Sequence, residues 1–318
     1  MNCRTIRYAK SGGVEIVETK VTDPQPGEVQ VQSLACGVCA WDIHVFKSGS
    51  DSSAPAGHEG VARVTRIGQG VTKFREGDWV VGVGLGFTEV ASVAADRLYP
   101  IPQVGTPEDW IVEPVSCIVT GIDHCALKAG DRIAVLGCGF MGLMFVQALS
   151  HTLVERLVAI DIDPQRLAMA KEFGATDVID ARDADVDKLK QLQLDTVVDC
   201  SGSQQGLNLA SQIAKQGGRL NLFGWNHGTG NFPGDLWHMN GLTVVNSAPH
   251  SAIRDPWLPA IRMLERGYIR LRPLVSHIVS LDEYPALLSK AANRSDGYLK
   301  GVVRLADISI DGPVKPVA

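Results

Sequence analysis

The feature that most constrains this chain lies in its middle. Arg132-Ile133-Ala134-Val135-Leu136 is a short apolar run, and Gly137-Cys138-Gly139-Phe140-Met141-Gly142 follows it directly as G-x-G-x-x-G. The stretch 141–150 has helical character, and Leu157-Val158-Ala159-Ile160 reads as a second strand ending at Asp161. Strand, glycine turn, helix and strand in that order make a βαβ unit. The alternation continues through 163–173, 196–199 and 219–223, which predicts an α/β fold with a doubly wound parallel sheet.

In such a turn each glycine has a job. Gly137 allows the tight bend, Gly139 lets a pyrophosphate approach the backbone, and Gly142 lets helix and strand pack closely. Phe140 and Met141 open the helix, whose first N–H groups have no partner within it and suit a phosphate. A carboxylate at Asp161 suits the two hydroxyls of an adenosine ribose and repels a 2′-phosphate, so NAD is expected over NADP. Arg166, a few residues on, keeps NADP open. A glycine turn with no ligand is the bland alternative, and the strand and acid on either side of the motif argue against it.

The flanks read differently. Residues 1–100 hold many short alternating segments, such as 14–18, 29–32, 60–67 and 78–83, divided by Gly, Pro and Asp turns. That spacing predicts a β-barrel-like or sandwich-like domain. Beyond residue 250 the pattern is mixed, with helices expected at 257–266 and 284–292 and a tail from Ile308. A length of 318 residues accommodates two domains of ordinary size. The net charge is −5 and no basic run stands out, so nothing favours nucleic acid. The N-terminal residues lack an apolar core of signal-peptide length, and no apolar stretch is long enough to span a bilayer. A cytoplasmic location is therefore expected. Seven cysteines, an odd number, do not read as a disulfide framework there.

Three short segments of the first 115 residues carry metal-binding residue types. They are Cys36-Gly37-Val38-Cys39, Gly57-His58-Glu59 and Glu113-Pro114. A catalytic zinc needs three protein ligands of S, N or O type and one open position. Cys39, His58 and Glu113 could supply such a set, with Glu59 able to ligate when the substrate position is empty. Each residue also has an ordinary reading: a buried cysteine, a satisfied histidine, a glutamate at a helix start. The CxxC could instead be a redox pair.

Taken together and in order, these motifs resemble the zinc-containing medium-chain dehydrogenase/reductase family, especially its alcohol, polyol and threonine dehydrogenase branch. The markers are Pro26-Gly27-Glu28-Val29, Cys36-Gly37-Val38-Cys39 with Asp42 and His44, Gly57-His58-Glu59-Gly60, Gly77-Asp78-Trp79-Val80, Glu113-Pro114, and the glycine loop with Asp161. The resemblance spans about residues 5–305. It implies an N-terminal chaperonin-10-like (GroES-like) β-barrel catalytic domain over 1–114 and a NAD-binding Rossmann domain over 115–250. Residues 251–318 would return to the catalytic domain and end in the tail, with the active site between the domains.

The resemblance also implies roles. Cys39, His58 and Glu113 match the three zinc ligands, and Glu59 matches a glutamate implicated in ligand exchange. Asp42 matches a carboxylate that orients the histidine ligand, and His44 the end of a proton relay. Lys300 matches a basic position that touches the cofactor phosphates. Gly202 falls where a further strand passes the cofactor. One catalytic Zn2+ and NAD are the implied cofactors, and a small alcohol, polyol or sugar the implied substrate.

Two departures from the family stand out. Relatives carry Ser or Thr two residues after the cysteine ligand, where a hydroxyl starts the proton relay. This chain has Trp41 there, whose indole N–H donates a hydrogen bond but cannot pass a proton on as a hydroxyl does. Relatives also carry a four-cysteine zinc lobe. No cysteine lies between Cys39 and Cys117, so one zinc per chain is expected. That lobe lies near subunit contacts in relatives, which leaves the size of the expected homo-oligomer, dimer or tetramer, open. Two other functions remain: a zinc-independent NADPH-linked alkene or quinone reductase of the same superfamily, and a non-catalytic nucleotide-binding protein. Asn226, His227, Trp237 and His238 read either as a polar loop or as a segment that approaches the active site.

Overall fold

The structure, a computed structural model, describes residues 2–49, 56–226 and 230–306. The chain divides into two compact units, one formed by residues up to Pro114 with those from Leu264 onward, the other by Val115–Met263.

Among the described residues, the second unit carries a six-stranded parallel sheet. Its spatial order is Asp177–Asp180, Arg156–Asp161, Arg132–Leu136, Leu194–Asp199, Ala214–Leu222 and Thr243–Asn246. Numbered along the chain this is 3-2-1-4-5-6, the doubly wound order whose ligand crevice lies where the order reverses. The reversal falls between Arg132–Leu136 and Leu194–Asp199 and sets the glycine loop beside Cys200 and Ser201. Ile133, Ala134, Val135, Val197 and Val198 are fully buried, as strands covered on both faces require. Helix Phe140–Ser150 is buried from Gly142 to Leu149. Helix Pro164–Glu172 starts one residue after Asp163, which caps it by accepting the N–H groups of Gln165 and Arg166.

The first unit is built around strand Glu28–Gly37. Strand Glu59–Ile67 pairs antiparallel along one of its edges. The other edge carries Val90–Ala94 along its first half and Gly301–Arg304 along its second. Trp79–Gly82, Leu98–Ile101 and His277–Ser280 extend the sheet, and Asn2–Tyr8 with Val14–Lys20 forms a separate antiparallel ribbon. Helices Ala40–Ser48 and Tyr284–Asn293 bury Val45, Tyr284, Leu287 and Leu288 in a core with Ile6, Tyr8, Val38, Phe87 and Val303. The C-terminal segment is thus part of this core.

The chain rejoins the first unit at Leu264, later than the 251 expected from sequence. Within the second unit the Arg254 guanidinium holds the Asp123 carboxylate at 2.7 Å. Among the described residues no helix is long and apolar enough to cross a membrane. His227 and the tail from Ile308 lie outside the described residues.

Candidate functional site

The antiparallel pairing of Glu28–Gly37 with Glu59–Ile67 aligns Gly37 with Glu59. That register carries Cys39, two residues past the end of one strand, toward His58 and Glu59 at the start of the other. The sulfur of Cys39, a ring nitrogen of His58 and a carboxylate oxygen of Glu59 lie within 4.8 Å of one another, the only such group among the described residues. Gly37 makes this possible, because a Cβ there would stand 2.1 Å from Glu59 Oε2. Cys39 also precedes helix Ala40–Ser48, and its N–H donates to Asp42 Oδ2 at 2.7 Å.

Buried acids and one buried lysine surround the cluster. Asp42 is fully buried, and Glu59 is 2% exposed. Burial pushes the Cys39 thiol up, and the neighbouring Glu59 charge raises it further. Burial also raises Asp42, against the opposing pull of the Cys39 N–H and of His58. Lys300 faces these acids with its Nζ 2.5 Å from Glu59 Oε2 and 2.8 Å from the Val38 carbonyl oxygen. Burial alone would depress the lysine, but the Glu59 and Cys39 charges outweigh it and raise it. A thiolate, an imidazole and a carboxylate are the donor types zinc takes, so the residues fit that ion.

Glu113, in the first turn of helix Val112–Cys125, is not in the cluster, which holds Cys39, His58 and Glu59. Lys300 is 4% exposed and points its ammonium at Glu59. Beside the cluster, Trp41 is 50% exposed and its ring centroid lies 5.7 Å from that of His44. The pair shares one face of the helix because residues three apart are neighbours there.

Sequence reasoning missed Tyr8 and Tyr284. The Tyr8 hydroxyl donates to Asp42 Oδ1 at 2.8 Å and lies 2.8 Å from the Tyr284 hydroxyl. Neither tyrosine sits in a local motif, and their partners are far away in the chain.

In the second unit the glycine loop takes the form its chemistry needs. Gly137 has φ +91°, and a Cβ on it would meet Ser201 backbone at 2.8 Å. A Cβ on Gly142 would stand 1.8 Å from the Gly137 carbonyl oxygen, whereas one on Gly139 would meet nothing within 4 Å. The space over Gly139 is therefore open for a ligand, and the helix beginning at Phe140 and Met141 has no side-chain cap. Asp161 accepts the Cys138 N–H at 2.5 Å and the Asp163 N–H at 2.8 Å, which pins its carboxylate beneath the loop. Arg166 lies 3.5 Å from Asp163. Gly202, with φ +60°, is exposed after the neighbouring strand. These residues fit a dinucleotide. Trp237 instead anchors its indole N–H on Ser211 at 2.9 Å.

Residues 25–103 match the alcohol dehydrogenase GroES-like domain, and residues 141–266 match the zinc-binding dehydrogenase family. The chain belongs to the zinc-containing medium-chain dehydrogenase/reductase family. Like other zinc-type alcohol dehydrogenases it is an oxidoreductase that acts on CH–OH donors, and the family's cofactors are zinc and NAD(H) or NADP(H). It is 24% identical to (R,R)-butanediol dehydrogenase of Bacillus subtilis (strain 168), with 88% of this chain and 93% of that protein covered. It is 26% identical to D-arabinitol dehydrogenase 1 of Uromyces fabae, covering 90% and 93%. The solved structure of a protein described as a short chain alcohol dehydrogenase from Escherichia coli CFT073, complexed with the cofactor NADH, shares the fold of this chain. Its TM-score is 0.86 at 21% identity, covering 95% of this chain and 99% of that one.

Proposed function

We propose that this chain is a zinc-dependent, NAD-linked dehydrogenase that oxidises a secondary hydroxyl of a polyol, sugar or small diol. The observation that carries this reading is the convergence of half-buried Cys39 and His58 with buried Glu59, within 4.8 Å of one another. Two relatives are named for a diol and a pentitol, which favours a polyhydroxylated substrate.

When bound, zinc supplies Lewis-acid polarisation of a hydroxyl, and NAD supplies the hydride acceptor. Cys39, His58 and Glu59 would hold the metal, with Glu113 a further candidate donor. Asp161 would bind the ribose hydroxyls, and the loop from Gly137 to Gly142 would seat the pyrophosphate beside Gly202. Trp41 offers no hydroxyl, so the proton from the substrate would leave through ordered water to His44 or Glu59.

The test is NADH formation by the zinc-loaded protein across polyols, sugars, secondary alcohols and threonine, with NAD or NADP and with or without a strong chelator. Chelator-sensitive turnover of a polyol with NAD is expected. Chelator-insensitive reduction of an alkene or quinone with NADPH would replace this reading with the reductase one.

A further inference from the structure

Behind the metal cluster runs a line of buried hydroxyls. Asp42 is fully buried and has both carboxylate oxygens engaged: Oδ2 takes the Cys39 N–H at 2.7 Å, and Oδ1 takes the Tyr8 hydroxyl at 2.8 Å. The Tyr8 oxygen lies 2.8 Å from the hydroxyl of Tyr284, which is also fully buried. A tyrosine has one hydroxyl proton. Tyr8 spends its own on Asp42, so Tyr284 must be the donor to Tyr8. The chain of hydrogen bonds is therefore directional, from Tyr284 to Tyr8 to Asp42.

Its three members come from distant parts of the sequence. Tyr8 ends strand Asn2–Tyr8, Asp42 lies in the first turn of helix Ala40–Ser48, and Tyr284 begins helix Tyr284–Asn293. The Tyr284 ring packs on Phe87 with centroids 4.5 Å apart. That packing holds the Tyr284 ring beside Tyr8. Asp42 in turn binds the backbone N–H of Cys39, the residue whose sulfur belongs to the metal cluster.

We infer that Tyr8 and Tyr284 are positioning residues of the metal centre: their hydroxyls hold the Asp42 carboxylate in the orientation that fixes the Cys39 backbone, and with it the sulfur, for zinc. The inference rests on the proposed zinc site and extends it to residues from both ends of the chain. Groups that orient metal ligands are worth about 10- to 100-fold in metal affinity. A buried carboxylate that loses a hydrogen-bond donor is free to turn toward another partner, and the ligand it steadied turns with it.

The test uses the full-length Tyr8→Phe and Tyr284→Phe proteins, which keep the rings and their packing. Zinc affinity is measured by competition with a chromophoric chelator, and ligand geometry by the visible absorption of the cobalt-substituted protein, both without NAD or substrate. Tyr8→Phe is expected to weaken zinc about 10- to 100-fold and to alter the cobalt bands. Tyr284→Phe should shift both in the same direction by less, since Tyr8 still reaches Asp42. Variants that melt at lower temperature yet bind zinc and show cobalt bands like the parent overturn the inference and leave the tyrosines a packing role. A parent chain that binds no zinc overturns both the inference and the function on which it rests.

Discussion

Gly37 and Glu59 face each other across an antiparallel strand pair, and the Glu59 carboxylate occupies the space a Gly37 side chain would take. A Cβ at Gly37 would stand 2.1 Å from Glu59 Oε2 and 3.1 Å from both Ile111 Cγ2 and Lys300 Cε. The carboxylate has no easy retreat. Gly37→Ala is expected to cost about 1–3 kcal/mol of stability, as overpacked cores do, and to weaken zinc by roughly 10-fold or more. Thermal melting and zinc competition on the same variant check both. Parental values in both would show that Glu59 does not depend on this gap.

Lys300 and Glu59 form a buried ion pair, with side chains 5% and 2% exposed. Taking one partner from such a pair leaves an uncompensated charge and costs about 3–5 kcal/mol. Lys300→Met should therefore destabilise the metal-free protein by that order, read as a lower denaturant midpoint, while NAD affinity measured by fluorescence changes little. A large loss of NAD affinity with unchanged stability would return Lys300 to the phosphate contact expected from sequence.

The two glutamates proposed as metal donors are separable. Glu59 is in the cluster and Glu113 is not. Glu59→Gln should lower zinc affinity by roughly 10- to 100-fold, and Glu113→Gln by less. The reverse order, measured by metal analysis after dialysis against a weak chelator, would make Glu113 the third ligand.

What the sequence made legible was local. The glycine loop, its strands and Asp161 are all set by short-range patterns, so strand order 3-2-1-4-5-6 and the pinned carboxylate agree with the doubly wound fold expected. Cys39, His58 and Glu59 were legible as residue types. Their convergence was not, because it depends on the register of Glu28–Gly37 against Glu59–Ile67. Lys300 was read without its partner, and Tyr284 was missed, for a related reason. Both come from the C-terminal segment, and their contacts with Glu59 and Tyr8 span most of the chain length. Glu113 matched a motif, yet a motif does not say which way a side chain in a first helical turn points.

Cofactor preference should rest on Asp161. Its carboxylate is held by the Cys138 and Asp163 N–H groups, so it cannot swing aside for a 2′-phosphate. Asp161→Ser is expected to shift the ratio of kcat/KM for NAD over NADP toward NADP by at least 10-fold, with Arg166 free to meet the added phosphate. Steady-state kinetics with both cofactors measure it, and an unmoved ratio would remove Asp161 from that role.

The remaining question is how the proton leaves. Trp41 and His44 sit on one helix face with ring centroids 5.7 Å apart, and the indole cannot relay a proton. His44→Ala is expected to lower kcat by about 10²-fold, the low end for a lost general base. Trp41→Ser puts a hydroxyl where the indole was, so adding it to His44→Ala should leave the rate low, because the hydroxyl then has no imidazole to deliver to. Trp41→Ser alone should retain activity and depend on His44 as before. If His44→Ala keeps the parental rate, the proton takes another route and His44 leaves the relay.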